Sequence, residues 1–256
     1  VEINFYAFSF INISLHLNLV SLTRIMLFSD ACDPILSVNS LLNIPRNAFS
    51  WCDLVEPLVE RSPPRYLFNK YFSMDDGSAM FEVEQNRPEV LVCHDYKGNY
   101  LDDKFINGTP RYEEYRFYNW NCIDIFCYFS HKLVTIPTLQ FLNAAHKNGV
   151  KVLGTLIVES VDGQKALYDD ILSSKLQAER VANSLVEVSK RLKFEGWLLN
   201  VEVAVDIAKI EMLKHFVDYL TKKTHMEIPQ GKIIWYDSVT EDGKLAWQNE
   251  LNGKNE

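Results

Sequence analysis

The chain lacks the devices that would tie it to nucleotides, nucleic acids or membranes. No Gly-x-Gly-x-x-Gly or Gly-x-x-x-x-Gly-Lys run follows any apolar segment, so the backbone cradles that hold nucleotide phosphates are missing. There is no basic run, and 26 Lys and Arg against 34 Asp and Glu leave a formal charge of −8, which repels nucleic acid. The apolar N-terminal stretch, residues 3–28, is interrupted by Asn4, Asn12, Ser14, His16, Asn18 and Arg24, short of the roughly 20 apolar residues of a membrane span. It also lacks the basic region and small-residue cleavage site of a signal peptide. Its alternation over residues 10–19 suits a strand. Five cysteines, Cys32, Cys52, Cys93, Cys122 and Cys127, are odd in number and scattered with no CxxC pair. That excludes a zinc ribbon or a disulfide framework and favours a reducing, cytosolic compartment, where the sequons at Asn12 and Asn107 carry no weight. No Ser stands in a Gly-x-Ser-x-Gly context and no Cys has an obvious His partner, so nothing points to a nucleophilic triad.

What is present is an ordinary globular composition, 47% apolar and 23% charged, over 256 residues. The chain opens on Val rather than Met, which reads as something other than a natural start. Residues 29–87 are broken by Asp33-Pro34, Pro45, Pro57, Ser62-Pro63-Pro64 and Asp75-Asp76-Gly77, as expected of a cover segment with a short helix or two. From residue 88 the pattern changes. Five short apolar runs, residues 89–93, 122–129, 150–158, 194–202 and 232–236, alternate with segments of helical period at 112–120, 137–146, 164–192 (in one or two pieces) and 207–223. Doubly buried strands of this kind belong to parallel sheets, either an open doubly wound sheet or a barrel. The reactive side chains decide between them. His94 and Asp95, His131, Glu159, Asn200 and Glu202, and Tyr236 and Asp237 all fall at the C-terminal ends of the runs. A (β/α)8 barrel collects its site from many such ends. Five runs are too few to close eight strands, so the expectation is a leader over 1–87 and a barrel over 88–256, truncated after about five βα units.

The run Phe194-Glu195-Gly196-Trp197-Leu198-Leu199-Asn200-Val201-Glu202 is the most informative. Strand side chains alternate between faces, so Asn200 and Glu202 share one face, roughly 6–7 Å apart. A carboxylate ending an apolar strand is either braced by an Arg or a backbone cap, or used. The used alternative has a definite chemistry. Glycoside hydrolysis needs a proton donor at the leaving oxygen and something to stabilise the oxocarbenium-like centre. Most such enzymes use two carboxylates. A variant uses the substrate's 2-acetamido oxygen, with a polar residue orienting the acetamide beside a single acid/base. The strand resembles that of chitinase-type barrels, Phe-Asp-Gly then Asp-x-Asp-x-Glu, with Glu195, Leu198 and Asn200 at the three Asp positions and only the final Glu kept.

From about residue 88 onward the chain resembles glycoside hydrolase family 85, the endo-β-N-acetylglucosaminidases. The segments that carry the resemblance are Leu91-Val92-Cys93-His94-Asp95 with Gly98-Asn99-Tyr100; Tyr128-Phe129-Ser130-His131 with Thr135-Ile136-Pro137; Asn143-Ala144-Ala145-His146 with Gly149-Val150; Val152-Leu153-Gly154-Thr155; Gly196 to Glu202; and Trp235-Tyr236-Asp237-Ser238-Val239 with Trp247-Gln248. The resemblance implies a (β/α)8 barrel that cleaves between the two N-acetylglucosamines of the N-glycan core, with retention, through the acetamide, and with no metal or other cofactor. It makes Glu202 the general acid/base and Asn200 the residue holding the acetamide. Tyr236 and Trp247 would line the sugar subsite and Trp120 would stack on sugar. His94, Asp95, His131, Glu159 and Asp237 are further substrate-side candidates, the first two as a brace under the sugar. The partners implied are N-glycans, glycopeptides or free oligosaccharides, with no nucleic acid and no membrane. The chain departs from the family pattern at Thr138, Ser160 and Val203, where a proline, an aromatic and an asparagine are usual. Two rivals stand beside this reading. One is a carbohydrate binder without turnover. The other is a metal-dependent hydrolase using His94, Asp95 and His131, against which the missing His-x-His on the first run argues.

Overall fold

The computed structural model describes residues 31–60, 88–110, 116–248 and 250–255. The strand expected over 10–19 lies outside these residues. In chain order the elements are helix α1 (Val38–Leu42), strand β1 (Leu91–His94), β2 (Ile125–Tyr128), β3 (Val134–Thr135), helix α2 (Leu139–Lys147), β4 (Lys151–Val158), α3 (Ser160–Lys165), α4 (Lys175–Leu192), β5 (Gly196–Val201), α5 (Ile207–Glu227) and β6 (Lys232–Trp235). All five expected runs are strands. They form one parallel sheet in the order β1-β2-β4-β5-β6. The sixth strand, β3, is a two-residue antiparallel addition to β4, pairing Val134 with Leu156 and Thr135 with Thr155. Of the helix expected over 112–120, residues 116–119 have no regular structure and Trp120 opens a single 3-10 turn. The helical stretch after β4 is in two pieces, α3 and α4, separated by a π-turn over Ala166–Ile171.

The register sorts the side chains into two faces. Val92, Phe126, Tyr128, Val152, Leu156, Val158, Trp197, Leu199 and Val201 meet the helices and form the main core. Residues 31–60 pack into that same core through Cys32, Ile35, Val38, Leu41, Phe49, Trp51 and Val55. The helices are built to cover this face. Helix α4 starts at Ser174, whose hydroxyl accepts the Gln177 N–H at 3.2 Å, and buries Val181, Leu185, Val188 and Leu192. It stops at Lys193, which takes left-handed backbone at φ 57°. Gly154 leaves room for the indole of Trp197 opposite it. A Cβ there would lie 2.8 Å from the ring and 2.6 Å from the Thr135 carbonyl.

The other face is concave and carries a smaller cluster of Ile125, Cys127, Leu153 and Leu198, flanked by Leu91, Phe129 and Ile234. Its curvature can be read from one residue. Glu89, just before β1, reaches Lys151 at the start of β4 at 2.6 Å and Lys232 at the start of β6 at 2.7 Å. β1 and β6 are the outer strands of a five-strand order, about 19 Å apart if the sheet were flat at ~4.8 Å per strand. A Glu–Lys pair does not span that distance, so the sheet is curled into an arc of a barrel. The interior layer at the N-terminal ends is ionic and the layer above it is apolar.

Candidate active site

The polar side chains gather where the concave face meets the C-terminal strand ends. Asn200 and Glu202 project from β5 and the residue after it, in the middle of the arc. The Glu202 N–H is held by the Val158 carbonyl at 2.7 Å, which continues the β4–β5 ladder and fixes the backbone under the carboxylate. Asn200 is 3% exposed and its Nδ2 donates to Glu202 Oε2 at 3.0 Å. Glu202 itself is half-buried. Among the described residues, this acid is met by the amide two residues earlier. One Nδ2 hydrogen is thus held by Glu202, and Asn200 Oδ1 is the acceptor the amide offers to a donor from outside.

The neighbouring strands supply two unlike walls. On the β4 side, Val158 pairs with Val201, so Glu159 follows on directly beside Glu202. Its Oε1 meets His131 Nδ1 at 3.0 Å, and His131 Nε2 lies 3.6 Å from Asp95 Oδ2 at the end of β1. Asp95, His131 and Glu159 thus form an acid–imidazole–acid chain along the rim, all partly exposed. On the β6 side, the Tyr236 N–H binds the Leu199 carbonyl at 3.0 Å, which places Tyr236 in line with Asn200. Tyr236 is 41% exposed. Beyond it, Ser238 Oγ donates to the Val201 carbonyl, the Ala246 N–H donates to Ser238 at 2.8 Å, and Val239 bridges Leu245. This small hairpin returns Trp247, a residue 54% exposed, to the β5–β6 end.

Three of the residues expected at the site face elsewhere. His94 and Asp95 are consecutive in an extended segment and so point to opposite faces. Asp95 joins the rim, whereas His94 is buried among Phe126 and Phe141, with ring centroids 5.2 and 5.0 Å away. It is therefore no brace beneath the sugar. Burial holds its pKa below the usual histidine value. The same parity separates Tyr236 from Asp237, whose carboxylate accepts from Asn255 Nδ2. Trp120 precedes β2 and is 7% exposed, wedged against Phe117, Phe126 and Phe141 on the helix side. Its ring faces are occupied by core partners, so stacking on sugar is not its role in this fold.

Glu195 stands at the opposite end of β5 from Glu202. Its Oε2 accepts the Val152 N–H at 2.7 Å and lies 3.4 Å from Nε2 of His146, whose Nδ1 is 2.7 Å from the Glu56 carbonyl. This pair joins the segment containing Glu56, helix α2 and strands β4 and β5 at the base of the sheet, away from the reactive end. Among the described residues, no group of three or more His, Cys, Asp or Glu is placed to hold a metal ion, and no helix is long and apolar enough to cross a membrane.

Comparison with known proteins identifies the family. The family model for glycosyl hydrolase family 85 matches residues 99–256. The cytosolic endo-beta-N-acetylglucosaminidase of Gallus gallus is 42% identical over 200 residues, covering 78% of this chain and 25% of that protein. The cytosolic endo-beta-N-acetylglucosaminidase 1 of Arabidopsis thaliana is 47% identical over 170 residues, 66% of this chain and 25% of that protein. The chain therefore spans about a quarter of the length of these curated relatives. Among solved structures, the glycoside hydrolase domain of Endo-D from Streptococcus pneumoniae R6 superposes with a TM-score of 0.68 at 20% identity, over 89% of this chain and 35% of that one, a likeness of fold. With the strand-end residues, the arc of parallel strands and the matched segment in agreement, the chain belongs to glycosyl hydrolase family 85.

Proposed function

We propose that this chain carries the catalytic strand of an endo-β-N-acetylglucosaminidase that hydrolyses the β-1,4 bond between the two N-acetylglucosamines of the N-glycan core. The observation that supports it best is the Asn200 Nδ2–Glu202 Oε2 hydrogen bond of 3.0 Å at the concave end of β5. In this reading Glu202 gives its proton to the glycosidic oxygen. The 2-acetamido oxygen attacks the anomeric carbon from the other face, and the C1–O bond breaks to leave an oxazolinium ion that keeps its N–H. Asn200 Oδ1 accepts the acetamide N–H, which turns the acetamide oxygen toward C1. Glu202, now a carboxylate, takes a proton from water as that water opens the oxazolinium ion. Two displacements at one carbon retain the configuration. Tyr236 and Trp247 offer exposed aromatic faces to the sugar, and Asp95, His131 and Glu159 offer acceptors and a donor to hydroxyls on the other wall.

The substrates are N-glycans, as glycopeptides or free oligosaccharides, and the compartment is the cytosol, as in the names of the relatives. Turnover by this chain alone is expected to be slow, because among its described residues five parallel strands hold the site where the barrel form of the fold uses eight. The test uses a high-mannose glycopeptide and looks for a released glycan ending in one N-acetylglucosamine. Glu202→Gln abolishes release. Asn200→Ala depresses hydrolysis of the glycopeptide far more than turnover of a preformed oxazoline. Equal losses with both substrates would remove the acetamide role. A chain that binds the glycopeptide but releases nothing, even when extended to the length of its relatives, would be a lectin-like binder.

A further inference from the structure

Cys93 and Cys127, 34 residues apart in sequence and unremarkable there, stand directly opposite each other on the neighbouring parallel strands β1 and β2. Strands lie about 4.8 Å apart, and opposed residues send their side chains out on the same face, so the two Cβ–Sγ arms run side by side. That face is the concave one, since Leu91 and Ile125 lie below the pair and Asp95 lies one step above Cys93. The two thiols differ in setting. Cys127 is fully buried, with its Sγ 3.4 Å from Thr155 Oγ1, whereas Cys93 is exposed.

We propose that Cys93 and Cys127 are an oxidisable dithiol whose substrate is a hydroperoxide, with Cys93 as the attacking and Cys127 as the resolving thiol. In the first step the Cys93 sulfur attacks one peroxide oxygen. The O–O bond breaks, the second oxygen leaves as water or alcohol after taking a proton, and Cys93 becomes a sulfenic acid. In the second step the Cys127 sulfur attacks the Cys93 sulfur. The S–S bond forms and the sulfenic hydroxyl leaves as water with the Cys127 proton. Two thiols lose two electrons and two protons, and one peroxide is reduced. The assignment of roles follows the surroundings. Contact with the Cys127 thiol holds Cys93 below the ordinary thiol range, and contact with Cys93, together with burial, pushes Cys127 well above it. Cys32 is buried and pushed up to about 12, which keeps it inert. Directly opposed Cβ atoms on parallel strands sit wider than the ~3.5–4.5 Å of a relaxed disulfide, so the bridge would be strained and easily reduced. It would also draw β1 toward β2 one step beneath Asp95.

The test is hydrogen peroxide titrated onto the full chain, followed by alkylation and peptide mapping, and it does not depend on glycosidase activity. The expected result is loss of two hydrogens confined to the peptides bearing Cys93 and Cys127, reversed by a mild dithiol. Cys127→Ser should stop at a sulfenic acid on Cys93, trapped by a carbon-acid nucleophile, and Cys93→Ser should leave Cys127 untouched. Oxidation of Cys52 or Cys122 ahead of Cys93, or a wild-type chain in which Cys93 oxidises without bridging to Cys127, would overturn the proposal. The wild-type map decides this without either variant.

Discussion

Glu195→Gln tests the electrostatics at the base of the sheet. The His146 side chain is fully buried and that of Glu195 is 8% exposed. Glu56 presents a carbonyl and Glu195 a carboxylate, so both ring nitrogens face acceptors, an arrangement that suits the doubly protonated ring. Burial alone would lower the His146 pKa, but the hydrogen bond and charge of Glu195 and the Glu56 carbonyl outweigh it and raise it above the ordinary value. A raised folded-state pKa contributes stability that is fully present below the unfolded value, about 6.5, and is lost as pH rises through the folded value. Glutamine keeps an acceptor for the Val152 N–H and turns an amide donor toward His146, which is then best satisfied neutral. At pH 5.5 the variant therefore lacks one partner of a buried ion pair. With a 3.4 Å contact the low end of the usual cost applies, about 3 kcal/mol. As pH rises through the raised folded-state value, toward pH 8.5, the increment is lost and the deficit shrinks. Urea unfolding reads this directly: at about 2–3 kcal/mol per molar, the midpoint falls by roughly 1 M at pH 5.5 and by little at pH 8.5. The lowered pKa of His94 works in the opposite sense but is common to both proteins and cancels in the difference. The depressed carboxylates Glu89, Glu227 and Asp242 titrate at acid pH outside this window. A deficit that is constant with pH, or that grows toward pH 8.5, would show that the buried ring is neutral and would refute the reasoning.

The two tryptophans near opposite ends of the sheet give contrasting expectations. Trp247→Ala removes the ring of a residue that is 54% exposed, so its unfolding free energy should move by no more than about 0.5 kcal/mol. Its KM on a glycopeptide should rise by roughly two- to tenfold, the equivalent of ~0.5–1.5 kcal/mol of stacking; a large loss of stability with unchanged KM would place the ring in the fold instead. Trp120→Ala should do the reverse, costing about 3–5 kcal/mol of stability through the cavity left among Phe117, Phe126 and Phe141. Its residual folded fraction, measured by active-site titration, should keep the wild-type KM.

Much of this molecule was legible in its sequence, for reasons that can be stated residue by residue. Each strand is a short apolar run stopped by polar residues, a pattern that needs no tertiary information. Asn200 and Glu202 share a face because of a two-residue spacing, which is also local. The same parity, applied to His94-Asp95 and Tyr236-Asp237, separates them: in each pair only one residue can face the site. Other features have no local signature. β3 is two residues long and exists because Val134 and Thr135 find a free edge of β4 beyond the end of its pairing with β2. Trp120 reads as a stacking residue until Phe117 and Phe141 are known to cover it. The pairing of His146 with Glu195 joins residues 49 apart, and that of Cys93 with Cys127 depends on strand register alone.

The proposed chemistry would sit on a strand end that the sheet holds from both sides. β5 is flanked on both sides, by β4 and β6, so its end is held by ladder bonds at Glu202 N–H to Val158 and at Tyr236 N–H to Leu199. A strand end fixed from both sides cannot shift its side chains without breaking a sheet. The carboxylate and the amide are thereby pre-positioned by the core rather than by a loop. Directly beneath them on the concave face lie Leu198 and Ile234 beside Thr155, with Leu153 one layer lower, so the hydrogen bond between Nδ2 and Oε2 forms over a mostly apolar floor. That bond uses one of the two Asn200 Nδ2 hydrogens and leaves Oδ1 as the amide's acceptor for an incoming ligand. An acetamide meeting that oxygen must present its N–H, and an acetamide held by its N–H has its own oxygen free to act. That orientation of the amide is the one the proposed substrate-assisted mechanism requires of Asn200.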